Sequence, residues 1–376
     1  MATAIWLVST LLSLATVSQC VLWVPDPDPD PLLGYGADPS QISVSGIGSG
    51  GYMAVQVQVA YSNSIMGCGT LAAGPYHCAE GSTLRALGAC SDSPQDIDVI
   101  RLIDFTYSAE GSGDIDPVRG IADDKVYLFS GTSDTTVVPG VVLELESYYK
   151  EFINPTQIMT EYGTNANFAM ITEHYGNGCT TSRRPYINNC NYPAAFHLMN
   201  HIYGGNLQRP SYTAAPGGDL LSFDQTELEP SVIGGTSLDS VGYIYVPTGC
   251  AHKPGCKLHI VLHGCSQGRN TLEEEFVLNS GYNEVGELND IIIVYPQATS
   301  SAGNTNGCFD WWGYTNNSYD LKSGVQMQFV KNIIDRVTSD MEVCAVMENM
   351  FSRYQCVPAP PDPTVLLPST TCPPVY

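Results

Sequence analysis

Gly46-Ile47-Gly48-Ser49-Gly50-Gly51-Tyr52-Met53 decides how this chain is read. A nucleophile elbow has the form Gly-x-Ser-x-Gly. The nucleophile is forced into a strained turn between a strand and a helix, and only small residues fit two places to either side. Gly46 and Gly50 stand at those two flanking places. The residue midway between them is Gly48, which has no side chain and cannot attack anything. The scaffold of an elbow is legible; its nucleophile is missing.

Outward from the elbow, the chain alternates strand and helix patterns. Gln41–Ser45 alternates like a strand, and Tyr52–Tyr61 carries apolar residues through two or three helical turns. Val126–Phe129 is a short apolar strand followed by Ser130 and Gly131, and Val141–Phe152 reads as a helix. Leu258–Leu262, which includes His259, and Ile291–Tyr295 read as buried-strand runs rich in β-branched residues, and Ser323–Val337 is amphipathic at helical spacing. Continuous apolar strands alternating with helices predict an α/β fold: a mostly parallel sheet covered by helices on both faces.

Composition bounds the setting. Apolar residues make up 43% of the chain, enough for a core, and the net charge is −23 because 38 acids outnumber 15 bases. Such a surface repels nucleic acid. It suits a soluble extracellular life and weak association with cations. Met1–Cys20 holds no charged side chain and includes an apolar run, which reads as a secretory signal without the usual basic start. It is too short for a membrane-spanning helix, and no second apolar span of that length follows. Twelve of the thirteen cysteines lie beyond Cys20, an even number that implies a disulfide-bonded protein in an oxidising compartment. Short loops make Cys179 with Cys190 and Cys250 with Cys256 plausible pairs. No close Cys-x-x-Cys pair suggests zinc, and nothing calls for an organic cofactor. Asn316-Asn317-Ser318 is an acceptor pattern for N-glycosylation.

The domain plan is therefore a signal at 1–20, an acidic Asp-Pro linker at 21–40, one α/β domain at 41–352 and a proline-rich tail at 353–376. Repeated Asp-Pro removes backbone donors and repels itself, so the linker is expected to be extended.

Several separated motifs resemble one family, the extracellular poly(3-hydroxybutyrate) depolymerases and their esterase relatives. They are Ser45–Ala54, Val126–Gly131 with Asp134, Leu262-His263-Gly264-Cys265-Ser266-Gln267, Tyr295-Pro296-Gln297-Ala298 and Gly307–Tyr314, in family order. The resemblance covers most of residues 41–337. It implies a circularly permuted α/β-hydrolase, in which the elbow strand comes early and the His-Gly oxyanion strand late. The family's nucleophilic serine opens a Gly-x-Ser-Ser-Gly-Gly run and falls on Gly48. Its aspartate follows the Leu-Phe-Ser-Gly strand and falls on Asp134. Its histidine precedes a Met-Pro-Thr stretch; the matching segment is Asn165–Thr172, and the position falls on Phe168. Tyr175-Gly176-Asn177-Gly178-Cys179 also resembles the family and fixes that register. The resemblance further suggests backbone oxyanion donors at Ser49 and Cys265 and disulfides Cys78–Cys90 and Cys265–Cys308.

Acyl transfer needs a nucleophilic oxygen or sulfur and a base to take its proton. Gly48 supplies no nucleophile and Phe168 no base, so the expected protein is a secreted, catalytically silent homologue acting as a binding or structural component. The alternative is an active carboxylesterase or depolymerase that uses Ser49 with a relocated histidine, His174. In that register Ile47 is too bulky for a normal elbow. His263 is expected to shape the oxyanion loop, and His197 and His201, at i and i+4, to pack on a helix. Asp114 and Asp116 resemble the start of a calcium loop that does not continue. Trp311, Trp312 and Tyr314 are candidates to line a groove for an ester-like or hydrophobic ligand.

Overall fold

A computed structural model describes residues 29–232, 235–346 and 354–358. Eight strands form one sheet: β1 (Ile42–Ile47), β2 (Gly67–Leu71), β3 (Lys125–Phe129), β4 (Ile158–Glu161), β5 (Asp219–Asp224), β6 (Val241–Val246), β7 (Lys257–Leu262) and β8 (Ile291–Tyr295). Their order is β4-β3-β2-β1-β7-β8-β6-β5. The first six in this order run parallel, and β6 and β5 close one edge antiparallel. The elbow strand β1 is thus central although it comes first in the chain. Its parallel neighbour β7 enters more than 200 residues later, with Gly46 level with Leu262. β1, β6 and β8 are buried along their whole length, as strands covered on both faces are, and the polar Ser43 and Ser45 of β1 are satisfied by hydrogen bonds to His259.

Helices cover both faces. They are α1 (Ser49–Ala60), α2 (Val99–Ser112), α3 (Pro139–Phe152), α4 (Ala194–Ile202), α5 (Tyr282–Asn289) and α6 (Val325–Thr338). Side chains alternate along a strand, so neighbours on β2 point to opposite faces. The Cβ direction of Gly69 leads to Leu198 on α4, whereas Cys68 meets Tyr149 on α3. α1 is buried at every position, as a helix wedged between the sheet and α6 must be. Three short strands at 170–172, 177–178 and 187–189 make a small second sheet.

Among the described residues, four disulfides join Cys78–Cys90, Cys179–Cys190, Cys250–Cys256 and Cys265–Cys308. Cys68 is a buried thiol. The signal segment at 1–20 and the Asp-Pro repeat up to residue 28 lie outside the described residues, as does most of the tail. The end of the linker segment packs on the domain: Pro31 bridges Asp224, Leu32 and Ala37 are buried, and the Tyr35 and Ala37 amides both donate to the Val337 carbonyl. The boundary at 352 is crossed by a two-stranded ribbon in which residues 342–346 pair with 354–358.

Candidate active site

The elbow survives as geometry. Gly48 links β1 to α1 with φ 53° and ψ −121°, in a region where an L side chain is strained. Its N–H donates to the Leu71 carbonyl at 3.0 Å, and its carbonyl accepts from Tyr52 at 2.9 Å. A Cβ at Gly46 would stand 2.3 Å from the Gly50 carbonyl group. One at Gly50 would stand 2.1 Å from the Leu262 oxygen. Both flanking glycines are therefore dictated by contact.

Where a side chain at position 48 would project, the ring of Phe168 is already in place. A Cβ there would lie 2.7 Å from Cζ of Phe168. Phe168 is itself buried and meets Tyr186 edge-on. Its segment is laced to the loop that carries Asp134. The Ser133 amide donates to the Ala166 carbonyl and the Thr132 amide to the Thr164 carbonyl. Asn167 Oδ1 accepts from the amides of Phe168 at 2.8 Å and Thr135 at 3.4 Å. Sequence reasoning missed Asn167; its only signal was its place beside Phe168.

Asp134 is buried. Its Oδ1 accepts from the amides of Thr136 at 2.8 Å and Val137 at 3.0 Å. Burial raises its pKa to about 6 against the pull of those two amides. No imidazole hydrogen-bonds to it among the described residues.

Gly264 and Cys265 continue from the end of β7, beside the elbow. A Cβ at Gly264 would lie 3.2 Å from the Ile47 oxygen. Ser49 opens α1, where the helix presents unpaired N–H groups and the positive end of its dipole. Among the described residues, neither the Ser49 nor the Cys265 amide has a hydrogen-bond partner. The Cys265–Cys308 bond ties this loop to the start of the Trp311–Trp312 segment. His263 is fully buried and accepts at Nε2 from the Ala298 amide at 3.0 Å. Its Nδ1 lies 2.7 Å from the Gly264 carbonyl, and burial lowers its pKa to about 4. It is a neutral brace.

Among the described residues, Ser49 and His174 share no hydrogen bond. Ser49 Oγ is buried with no partner, and the buried Nδ1 of His174 has none either. The His174 ring stacks on Tyr212, centroids 4.5 Å apart and planes 7° apart. Burial holds its pKa below the usual histidine value despite nearby Glu173. Tyr212, which stacks on this ring, lies 38 residues further along the chain (212 − 174).

The three aromatic candidates are buried to different degrees. Trp311 is buried and stacks on Tyr52 at 4.0 Å. The Tyr314 hydroxyl donates to the Cys308 carbonyl and accepts from Asn304 and Gln326. Trp312 is half-buried and packs on Tyr314. Asp310 organises this stretch, accepting from the amides of Trp312, Gly313, Tyr314 and Thr315 and from the Thr315 hydroxyl. His197 stacks on Tyr192, and His201 Nε2 meets the Gln157 carbonyl. Asp116 pairs with Lys322. No group of three or more His, Cys, Asp or Glu side chains is placed to hold a metal among the described residues.

A central elbow strand, a permuted parallel sheet and an adjoining His-Gly loop define an α/β-hydrolase. No family model matches the chain. It is 41% identical over 305 residues to a poly(3-hydroxybutyrate) depolymerase of Delftia acidovorans, covering 80% of this chain and 60% of that one. It is 33% identical over 324 residues to a polyhydroxybutyrate depolymerase of Talaromyces funiculosus, covering 82% of this chain and 92% of that one. The structure is similar to that of a PHB depolymerase serine-to-alanine variant complexed with an R3HB trimer. The TM-score is 0.75 at 34% identity, over 82% of this chain and 99% of the other. A crystal structure of the Penicillium funiculosum PHB depolymerase matches with the same TM-score, 0.75, at 33% identity. The chain belongs to the poly(3-hydroxybutyrate) depolymerase family.

Proposed function

We propose that this chain is a secreted family member that does not hydrolyse esters through the family's triad positions and acts extracellularly by binding or as a structural component. One observation carries the reading: the Phe168 ring occupies the space that a side chain at position 48 would need. Serine is absent, the base is a hydrocarbon ring, and Asp134 has no imidazole to orient. An acyl-enzyme cycle has neither its attacking oxygen nor its proton acceptor. The free amides of Ser49 and Cys265 suit an ester carbonyl or a carboxylate. A neighbouring structure holds an R3HB trimer, which makes short 3-hydroxybutyrate esters the first ligands to try. The disulfides and the leader-like Met1–Cys20 support secretion.

The test is hydrolysis of a p-nitrophenyl ester by the purified chain, with R3HB trimer binding measured by calorimetry. The reading expects no turnover above the buffer rate. Turnover lost on Ser49→Ala contradicts it.

A second reading, an active secreted carboxylesterase or depolymerase using Ser49, is favoured by the relatives, both of which are named as depolymerases. It expects an organophosphonate to label Ser49 and requires a base other than His174 as placed.

A further inference from the structure

We propose that Asn316 carries an N-linked oligosaccharide that stands over Trp312 and screens it from large surfaces. The inference rests on the secreted reading above. The chain offers one usable acceptor, Asn316-Asn317-Ser318; Asn154-Pro155-Thr156 has the spacing but is blocked by its proline. The structure leaves the acceptor nitrogen available. Asn316 Oδ1 accepts from the Ser318 amide at 2.9 Å, which fixes the side chain in a turn, and Nδ2 donates to no described residue. Asn316 and Ser318 are half-buried and Asn317 is exposed. The site also has a fixed relation to the aromatic loop. Four successive amides from Trp312 to Thr315 converge on the Asp310 carboxylate, so the segment before Asn316 is tightly wound. The Cβ direction of Gly313 leads to Tyr319 at 3.2 Å and to the Asn316 backbone carbonyl at 3.4 Å, which sets the backbone of the acceptor residue beside the glycine between Trp312 and Tyr314.

The chemistry is a glycosyl transfer. Asn316 Nδ2 bonds to the first sugar's C1, the C1–O bond to a lipid-linked diphosphate donor breaks, and the amide loses a proton. The product adds a hydrated, branched group beside Trp312. A dissolved short ester can pass such a group; a solid polyester face cannot lie flat against it.

The experiment expresses the full chain in a eukaryotic secretory host, with a foreign leader replacing residues 1–20. Entry into the secretory route is then assured, and a parallel culture with the native leader reports on secretion separately. Intact mass is measured before and after peptide-N-glycosidase. We expect a glycan mass that the enzyme removes and that Asn316→Gln and Ser318→Ala both abolish. Acrylamide quenching of tryptophan fluorescence is expected to rise on deglycosylation, and this rise is expected to vanish in Trp312→Phe. An unmodified wild-type mass overturns the proposal even if secretion succeeds. A glycan whose removal leaves quenching unchanged overturns the screening of Trp312.

Discussion

Gly48 and Phe168 fit each other. A non-glycine residue at φ 53°, ψ −121° carries strain of about 1–3 kcal/mol, which an active elbow must offset elsewhere. Glycine relieves that strain, and the vacated space is filled by a ring. Gly48→Ser alone is therefore expected to lower stability by roughly 1–3 kcal/mol or more, since its Cβ also meets Phe168, with no gain in hydrolysis; urea denaturation checks this. Asp134 carries a second prediction. Its folded pKa of about 6 lies above the ordinary aspartate value, so the folded state holds the proton more tightly than the unfolded chain. Its contribution is fully favourable below the unfolded pKa and is lost as pH rises through about 6. Asp134→Asn keeps an acceptor for the two amides and removes the charge. It should stabilise the protein at pH 8 by about 1–3 kcal/mol and leave it unchanged near pH 3; thermal melts at the two pH values decide. At this scale the sequence showed what was missing but not what had filled it. That Phe168 points at Gly48 depends on a loop joined through Asn167, and nothing in the local pattern announces such a contact.

The elements most legible in the sequence are those whose burial is complete. The runs at Leu258–Leu262 and Ile291–Tyr295 fall within β7 and β8 because strands covered on both faces are predominantly apolar; buried His259 is tolerated in β7 through its hydrogen bonds to Ser43 and Ser45. α6 begins at Val325, two residues after the amphipathic pattern starts, because Ser323 and Gly324 belong to the turn before it. β5 was not legible: its sequence Asp-Leu-Leu-Ser-Phe-Asp lies at the sheet edge, half in water, and no periodicity set it apart. The packing of residues 30–40 was not legible, because Pro31, Pro39 and the aspartates beside them extend the upstream Asp-Pro pattern, although Leu32 is buried like a core residue. One prediction belongs to the elements. The Cys265–Cys308 bond closes a loop of 43 residues between the His-Gly loop and the aromatic segment. Replacing both cysteines with serine should cost about 2–4 kcal/mol. Hydrogen exchange should quicken first at residues 264–268 and 307–315. Uniform exchange changes across the sheet would refute this local role.

For the whole molecule, the family, the permuted sheet and the elbow place this chain among the depolymerases. The net charge of −23 predicts no retention on heparin or nucleic-acid resins at physiological salt, and retention there would contradict the acidic-surface reading. Ancestry was readable from motif order alone. That Gly48 and Phe168 matter together was readable because both fall on positions of one catalytic unit in the resembled family. The most direct measurement compares p-nitrophenyl ester hydrolysis by the wild type and by the variant carrying both Gly48→Ser and Phe168→His. Histidine in place of phenylalanine frees the space and supplies the base beside Asp134. The account predicts a wild type at the buffer rate and a double variant at least 100-fold above it, within the range attributed to acid–base and nucleophilic groups. A wild type that already turns over, with the double variant no faster, would contradict it.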